Sequence, residues 1–201
     1  MIQKIGIIDY GNAGNIFNIK KALEATSLGM KISILHSAKD LKKVDKIILP
    51  GVGTYRDVMS EISAWLKDIK EGVLKKPTLG ICLGMQILSE KGYEYGETVG
   101  LSAVGGEVLK MPVKGRIPHI GWSTVETIKP SKIMKGIAAQ EQFYFMHSYE
   151  LVNYTDVVAL STYNDHKFVA VVEKGNVFGV QFHPEKSREA GLKILKNFIN
   201  L

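Results

Sequence analysis

Few residues of this chain can do covalent chemistry. It carries one cysteine, Cys82, and five histidines, His36, His119, His147, His166 and His183. A single cysteine excludes an intrachain disulfide framework and a multi-cysteine zinc site, which leaves Cys82 as a buried filler or a reactive thiol. Its setting favours the thiol. The run Thr78-Leu79-Gly80-Ile81-Cys82-Leu83-Gly84-Met85-Gln86 sets the cysteine between two glycines, where an apolar stretch gives way to an amphipathic one. G-x-C-x-G is the spacing of a nucleophile elbow, a sharp strand-to-helix turn that lifts one side chain clear of the backbone. The glycines two positions either side relieve crowding that a core filler would not create. A helix starting there aims unpaired N–H groups and its positive dipole end at the sulfur, favouring the attacking thiolate.

A thiol nucleophile needs a base, and the base needs a group to hold it. His183 stands apart from the other histidines because the apolar run 177–182 ends in Phe182-His183-Pro184-Glu185, just past a strand end, where sites in parallel sheets collect. Glu185 can orient it, and Pro184 stiffens the frame that carries both. A plain turn after a strand is the alternative reading of this tripeptide. A third cluster, Leu49-Pro50-Gly51-Val52-Gly53-Thr54, also follows an apolar strand and precedes a helix. The backbone N–H groups of Gly51, Val52 and Gly53, with that of Leu83, can form an oxyanion hole; one such donor is typically worth about 100- to 1000-fold in rate. The Gly11-Asn12-Ala13-Gly14 loop lacks the spacing of a dinucleotide fingerprint and is too short for a phosphate loop.

The elements that must position these groups come from periodicity. Apolar runs at 4–9, 31–35, 46–49 and 78–81 predict strands; helical spacing predicts helices over 15–27, from about 55 to 71, and from about 83 to 90. The alternation predicts parallel strands with crossover helices. After Gly92 closely spaced strand candidates follow, at 107–111, 123–128, 142–146, 157–162, 168–172 and 177–182, and then a helix over 187–201. The expected fold is α/β: a layered, open, mostly parallel sheet flanked by helices, with a mixed or antiparallel extension in the second half, in one domain over 1–201.

Composition bounds the rest. The chain has 201 residues, 45% apolar and 23% charged, ordinary globular usage. No stretch approaches the ~18 apolar residues of a membrane span, and the opening residues show no basic region followed by a long apolar stretch, so a cytoplasmic protein is expected. The net charge is +6, but paired lysines are scattered without interleaved aromatics, which argues against nucleic acid and suits an acidic protein partner or anionic metabolites. The remaining histidines lack ligand spacing with acidic residues, so neither a metal nor a cofactor is expected.

Together, residues 80–86, the Phe182–Glu185 run and the loop at 50–53 resemble class I (triad) glutamine amidotransferases. Ile8-Asp9-Tyr10-Gly11-Asn12-Ala13-Gly14-Asn15, Pro118-His119-Ile120-Gly121-Trp122 and Tyr144-Phe145-Met146-His147-Ser148-Tyr149 narrow the resemblance to glutaminase subunits of imidazole glycerol phosphate synthase. The resemblance implies that Cys82 forms a γ-glutamyl thioester, that His183 shuttles protons and that Glu185 holds His183. It implies glutamine recognition by Gln86 and Glu94, with His147, Ser148 and Tyr149 lining the pocket. It further implies transfer of ammonia to a (β/α)8-barrel cyclase subunit of histidine biosynthesis in a heterodimer. Asn12, Asn15, Trp122 and Lys186 are the residues expected to face that partner. Ser123 departs from the Asn that usually follows the family's Gly-Trp pair. Paralogous subunits that feed sugar-modifying synthases would share the catalytic motifs. A cysteine peptidase-like hydrolase is the more distant alternative, and Gln86, the 50–53 loop and Glu185 argue against it. A Val52 peptide able to present either its N–H or its C=O would let the partner's nucleotide switch the oxyanion hole.

Overall fold

The structure, a computed structural model, describes residues 3–11, 15–26 and 29–201. The chain starts as β1 (Lys4–Ile8), α1 (Ile16–Thr26), β2 (Lys31–Leu35), α2 (Ala38–Leu41), β3 (Lys46–Leu49), α3 (Tyr55–Glu61), α4 (Leu66–Lys75), β4 (Thr78–Ile81) and α5 (Leu83–Gln86). It continues through β5 (Lys91–Gly92), β6 (Thr98–Val99), β7 (Glu107–Lys110), β8 (His119–Thr127), β9 (Glu141–His147), β10 (Tyr149–Val152), β11 (Val157–Tyr163), β12 (His166–Lys174) and β13 (Val177–Val180) to α6 (Arg188–Ile199).

Among the described residues, nine strands form one sheet in the order β2-β1-β3-β4-β13-β12-β11-β8-β9. The pairings from β2 to β13 are parallel; those from β13 to β9 are antiparallel. The expected extension is therefore as long as the parallel part it extends. β3, β4 and β13 are buried at every residue, as mostly apolar strands are when helices cover both faces of a sheet. On one face Ile16, Ile19 and Leu23 of α1 pack with Ile194, Leu195 and Phe198 of α6. On the other, Val58 and Met59 of α3 and Ile69 and Val73 of α4 pack against Ile47 and Leu49. A second sheet, β10-β7-β5-β6, adds Val108 and Leu151 to that second cluster. Lys46, the one charged residue of β3, donates to the carbonyls of Phe198 (3.2 Å) and Ile199 (2.5 Å), satisfying orphan acceptors at the end of α6.

Two helices differ from expectation. The helix predicted from 55 to 71 is interrupted: Ile62 (φ −84°, ψ 0°) and Trp65 (φ −134°, ψ 21°) leave α geometry, with a 3-10 turn at Ser63–Trp65 between α3 and α4. Ser60 and Ser63, whose hydroxyls compete for backbone groups, flank the break. The helix after Cys82 is a single turn, because Leu88 and Ser89 close tighter bonds to Met85 and Gln86 and the chain passes into β5. The short elements α2, β5 and β6 have too few residues for a periodic signal, and β10 (Tyr149–Val152), which follows β9 after one residue, is not separated from it by that signal. No helix among the described residues is long and apolar enough to cross a membrane.

Candidate active site

Cys82 lies between β4 and α5 with φ +50° and ψ −108°, a conformation costly for any residue with a side chain. Close approach on all sides holds it there. A Cβ on Gly84 would fall 2.0 Å from the Leu49 carbonyl oxygen, and one on Gly80 would fall 2.5 Å from the carbonyl oxygen of Gly84. Backbone therefore packs against backbone at both glycines of the elbow. Gly51 brings the next loop equally near: its missing Cβ would sit 2.5 Å from the Ile81 oxygen and 2.8 Å from the Cys82 Cβ. Gly53 has φ +95°, and Thr54 caps α3 by accepting from the Asp57 N–H at 3.3 Å.

His183 follows β13, the strand beside β4. Its N–H bonds to the Tyr144 carbonyl (2.8 Å), its carbonyl accepts from the Ser187 hydroxyl (2.7 Å), and that hydroxyl oxygen accepts from the Tyr144 N–H (3.0 Å). Gly191 lets α6 lie against the turn, since a Cβ there would meet the Pro184 oxygen at 2.0 Å. The ring Nδ1–H donates to Glu185 Oε1 at 2.8 Å, and the Asn15 amide donates to the same oxygen at 2.8 Å. Nε2 of His183 is buried and has no hydrogen-bond partner of normal geometry among the described residues. Burial works against the imidazolium. The negative charge of an ionised Cys82 beside it and the Glu185 carboxylate outweigh burial and raise His183 from 6.5 to about 10. Asn15, expected on a partner surface, is buried in this chain and supports Glu185. Asn12 lies outside the described residues.

A cavity of about 320 Å³ opens over the sulfur, lined by Gly51, Val52, Gly53, Cys82, Leu83, Gln86, Glu94, Pro118, Met146, His147, Ser148 and Tyr149. It contains all four residues expected in the oxyanion hole and all five expected to meet substrate. Its size is at the small end for ligand pockets and suits a single metabolite better than a polypeptide. Glu94 is anchored by the Tyr55 N–H in the first turn of α3 (2.8 Å). The Cys82 thiol donates to the Met146 carbonyl (3.6 Å) and accepts from the Gln181 amide (3.5 Å).

A chain of hydrogen bonds runs into this cavity from the antiparallel strands. The Tyr149 carbonyl accepts from His147 Nδ1 (2.9 Å), which makes His147 Nε2 an acceptor for His119 Nδ1–H (3.3 Å); His119 Nε2 then accepts from the Ser123 hydroxyl (3.0 Å). Both rings are neutral at pH 7, because burial lowers His119 to about 4 and His147 to about 3, the latter also disfavoured by charge on His119 and His183. The His119 ring stacks between Tyr163 (4.1 Å between centroids) and Phe145 (5.1 Å). Sequence reasoning assigned no role from spacing to His119, Met146 or Gln181. Gln181 had a signal, a lone polar residue inside the apolar run Val180-Gln181-Phe182; Met146 acts through its backbone and had none.

On the outer face of β8 and β9, Trp122 stands edge-on to Tyr144 (6.0 Å), the Lys186 ammonium lies 5.7 Å from the Tyr144 ring centroid, and the Arg188 guanidinium lies 4.5 Å from that of Trp122. Ile120 is 58% exposed and Met146, opposite it, 39%. Trp122 and Lys186 therefore share one apolar, cationic-rimmed surface. No group of three or more His, Cys, Asp or Glu among the described residues could hold a metal ion.

Known proteins match this chain over nearly its whole length. The family described as glutamine amidotransferase class-I matches residues 7–201. The imidazole glycerol phosphate synthase subunit HisH 1 of Campylobacter jejuni (strain RM1221) is 43% identical, covering 98% of this chain and 100% of that protein. Subunit HisH of Methanocaldococcus jannaschii is 42% identical, covering 98% and 99%. Among solved structures, PurLQS from Thermotoga maritima superposes with a TM-score of 0.74 at 21% identity, covering 100% of this chain and 99% of that one, a likeness of fold. With the family matched across both Cys82 and His183, this chain belongs to the class-I glutamine amidotransferases.

Proposed function

We propose that this chain is the glutaminase subunit of imidazole glycerol phosphate synthase. The observation that carries the chemistry is the single small cavity in which a strained cysteine, two glycine loops and Gln86, Glu94, His147, Ser148 and Tyr149 meet. The assignment among glutaminases rests on curated HisH subunits that match at 42–44% identity over almost the full chain.

Cys82 attacks the side-chain amide carbon of glutamine as a thiolate. The oxygen of the tetrahedral intermediate takes its charge against backbone N–H groups of the 51–53 loop and Leu83. His183 gives its proton to the amide nitrogen, the C–N bond breaks, and ammonia leaves a γ-glutamyl thioester on the sulfur. His183 then takes a proton from water, whose oxygen attacks the thioester, and glutamate departs as Cys82 is restored. Glu185, itself held by Asn15, keeps the ring oriented and stabilises its charged form. The whole chain acts as one glutaminase domain in the cytoplasm. Ammonia passes to a (β/α)8-barrel cyclase subunit docked on the face carrying Trp122 and Lys186, within a heterodimer. A second reading, a paralogous subunit serving a sugar-modifying synthase, rests on Ser123, which stands where the family usually carries Asn after its Gly-Trp pair.

The test is glutamate release from glutamine by the purified chain alone, with the histidine-pathway cyclase, and with that cyclase plus its aminoimidazole nucleotide. Strong stimulation by the last combination, abolished in Cys82→Ala, is expected. Hydrolysis indifferent to cyclase and nucleotide would reject the histidine-pathway partner and leave the sugar-modifying reading; full hydrolysis by Cys82→Ala would reject the chemistry.

A further inference from the structure

We infer that Gln181 is a hydrogen-bond donor to the attacking sulfur, with its amide direction set by Gln86 from inside the substrate pocket. The inference rests on the reading of Cys82 as nucleophile. Gln181 is fully buried, between Val180 and Phe182, at the end of the strand paired with the one leading into Cys82. An amide there costs desolvation that an apolar side chain would avoid, unless its polar atoms are bonded. They are: Nε2 lies 3.5 Å from Cys82 Sγ and Oε1 lies 3.1 Å from Gln86 Nε2.

The direction of these bonds follows from one fixed end. The Tyr149 carbonyl can only accept, so the Gln86 atom 2.9 Å from it is the donating NH₂. That same NH₂ faces Gln181, whose near atom must then be its oxygen. The remaining NH₂ of Gln181 is thereby turned to the sulfur. Flipping Gln181 would set two NH₂ groups against each other, and flipping both amides would set the Gln86 oxygen against the Tyr149 carbonyl. The Met146 carbonyl, 3.6 Å from the sulfur, accepts from a thiol and repels a thiolate. Of these two contacts, the Gln181 N–H is the one that stabilises the ionised nucleophile without competing for the His183 proton. Because Gln86 lines the cavity, a ligand that draws its amide away also frees Gln181 to move, which ties the donor to pocket occupancy.

The experiment compares full-length wild type, Gln181→Met and Gln181→Glu. Met removes the donor at similar length; Glu is isosteric, keeps an acceptor for Gln86 and presents a carboxylate oxygen to the sulfur. The first readout is the rate of Cys82 alkylation by iodoacetamide as a function of pH, which needs neither glutamine nor a partner. For Gln181→Met the profile moves to higher pH, alkylation at pH 7 slows about tenfold, and kcat falls about tenfold with KM changed less than threefold, as loss of one bond to a charged group implies. Gln181→Glu shows the larger shift despite its matching shape. Alkylation profiles that superimpose on wild type in variants with unchanged melting temperature would overturn the inference. Should both variants fail to fold, the side-chain amide resonances of Gln181 in the unmodified protein decide. They move with pH as Cys82 ionises and stay still in Cys82→Ala if the bond exists; movement alike in both proteins, or in neither, refutes it. If Cys82→Ala retained glutaminase activity, the nucleophile reading would fall, while the alkylation and resonance data would still report whether Gln181 bonds the sulfur.

Discussion

The two halves of the large sheet build the site by different means. On the parallel side, β3 and β4 end in loops where backbone meets backbone, and the chemistry is set by side chains that are missing: Gly51, Gly80 and Gly84 each stand where a Cβ would lie 2.0 to 2.5 Å from a carbonyl oxygen. On the antiparallel side, β8 and β9 contribute side chains that are present, and their work depends on register, which places His119 opposite His147 and Trp122 opposite Tyr144. The first kind of construction is steric and all-or-none. The second is a set of hydrogen bonds, each worth about 1 kcal/mol net, that can be weakened one at a time.

The largest effect is expected from Gly84→Ala. The added methyl would collide with Leu49 backbone, which cannot rotate aside, so a loss of about 3 kcal/mol or more and the disappearance of glutaminase activity are expected in thermal melts and glutamate assays. Gly96→Ala, whose Cβ would meet nothing within 4 Å though its φ is +107°, is the control and costs about 1 kcal/mol. Equal melting temperatures for the two variants would break the contrast.

Glu185→Gln comes next. With the carboxylate gone, His183 loses one of the charges that hold it near 10, and its proton is released at lower pH. The alkaline limb of kcat/KM should move down in pH, with a fall of roughly 100-fold at the optimum. An unmoved alkaline limb would mean that Glu185 shapes the site without setting the proton affinity of His183.

His119→Phe keeps the stack between Tyr163 and Phe145 while cutting both hydrogen bonds of the ring. About a tenfold loss in kcat/KM is expected, carried mainly by KM, since the chain ends on the pocket carbonyl that also holds Gln86. A loss as severe as that of Gly84→Ala would make the antiparallel half as unforgiving as the parallel one.

The last contrast is in acid sensitivity. His119 and His147 titrate near 4 and 3 in the folded chain and near 6.5 when unfolded, so below pH 6.5 the unfolded chain binds more protons. Their contribution to stability is complete above pH 6.5 and is lost as pH falls through about 4 for His119 and about 3 for His147. Melting temperature should decline over that window in the wild type and less steeply in His119→Phe. Parallel slopes would assign the acid loss to other groups.

These contrasts explain what could be read early. The elbow at Cys82 and the loop at 51–53 were legible because steric demands on a tight turn are met by glycine and by almost nothing else, and a glycine is visible in one dimension. His183 and Glu185 were legible because two residues of spacing on a proline-stiffened turn hold them together whatever the rest of the chain does. The interruption at Ile62 and the single turn of α5 were not legible, since apolar spacing continues through both and only backbone bonding ends the helices. The contact of Asn15 with Glu185 was not legible, since the two lie 170 positions apart and only tertiary packing brings the amide onto the carboxylate.

By itself, the sequence determined the alternation of strands and helices, the tight turn at Cys82, and the adjacency of His183 and Glu185, all of which follow from spacings of a few residues. Only the tertiary structure decided that Gln86, separated by 95 positions from Gln181 and by 63 from Tyr149, would bridge the two and so aim an N–H at the sulfur. Hydrogen bonds act over about 3 Å in space, and strand register brings such partners together in ways that local residue patterns do not record.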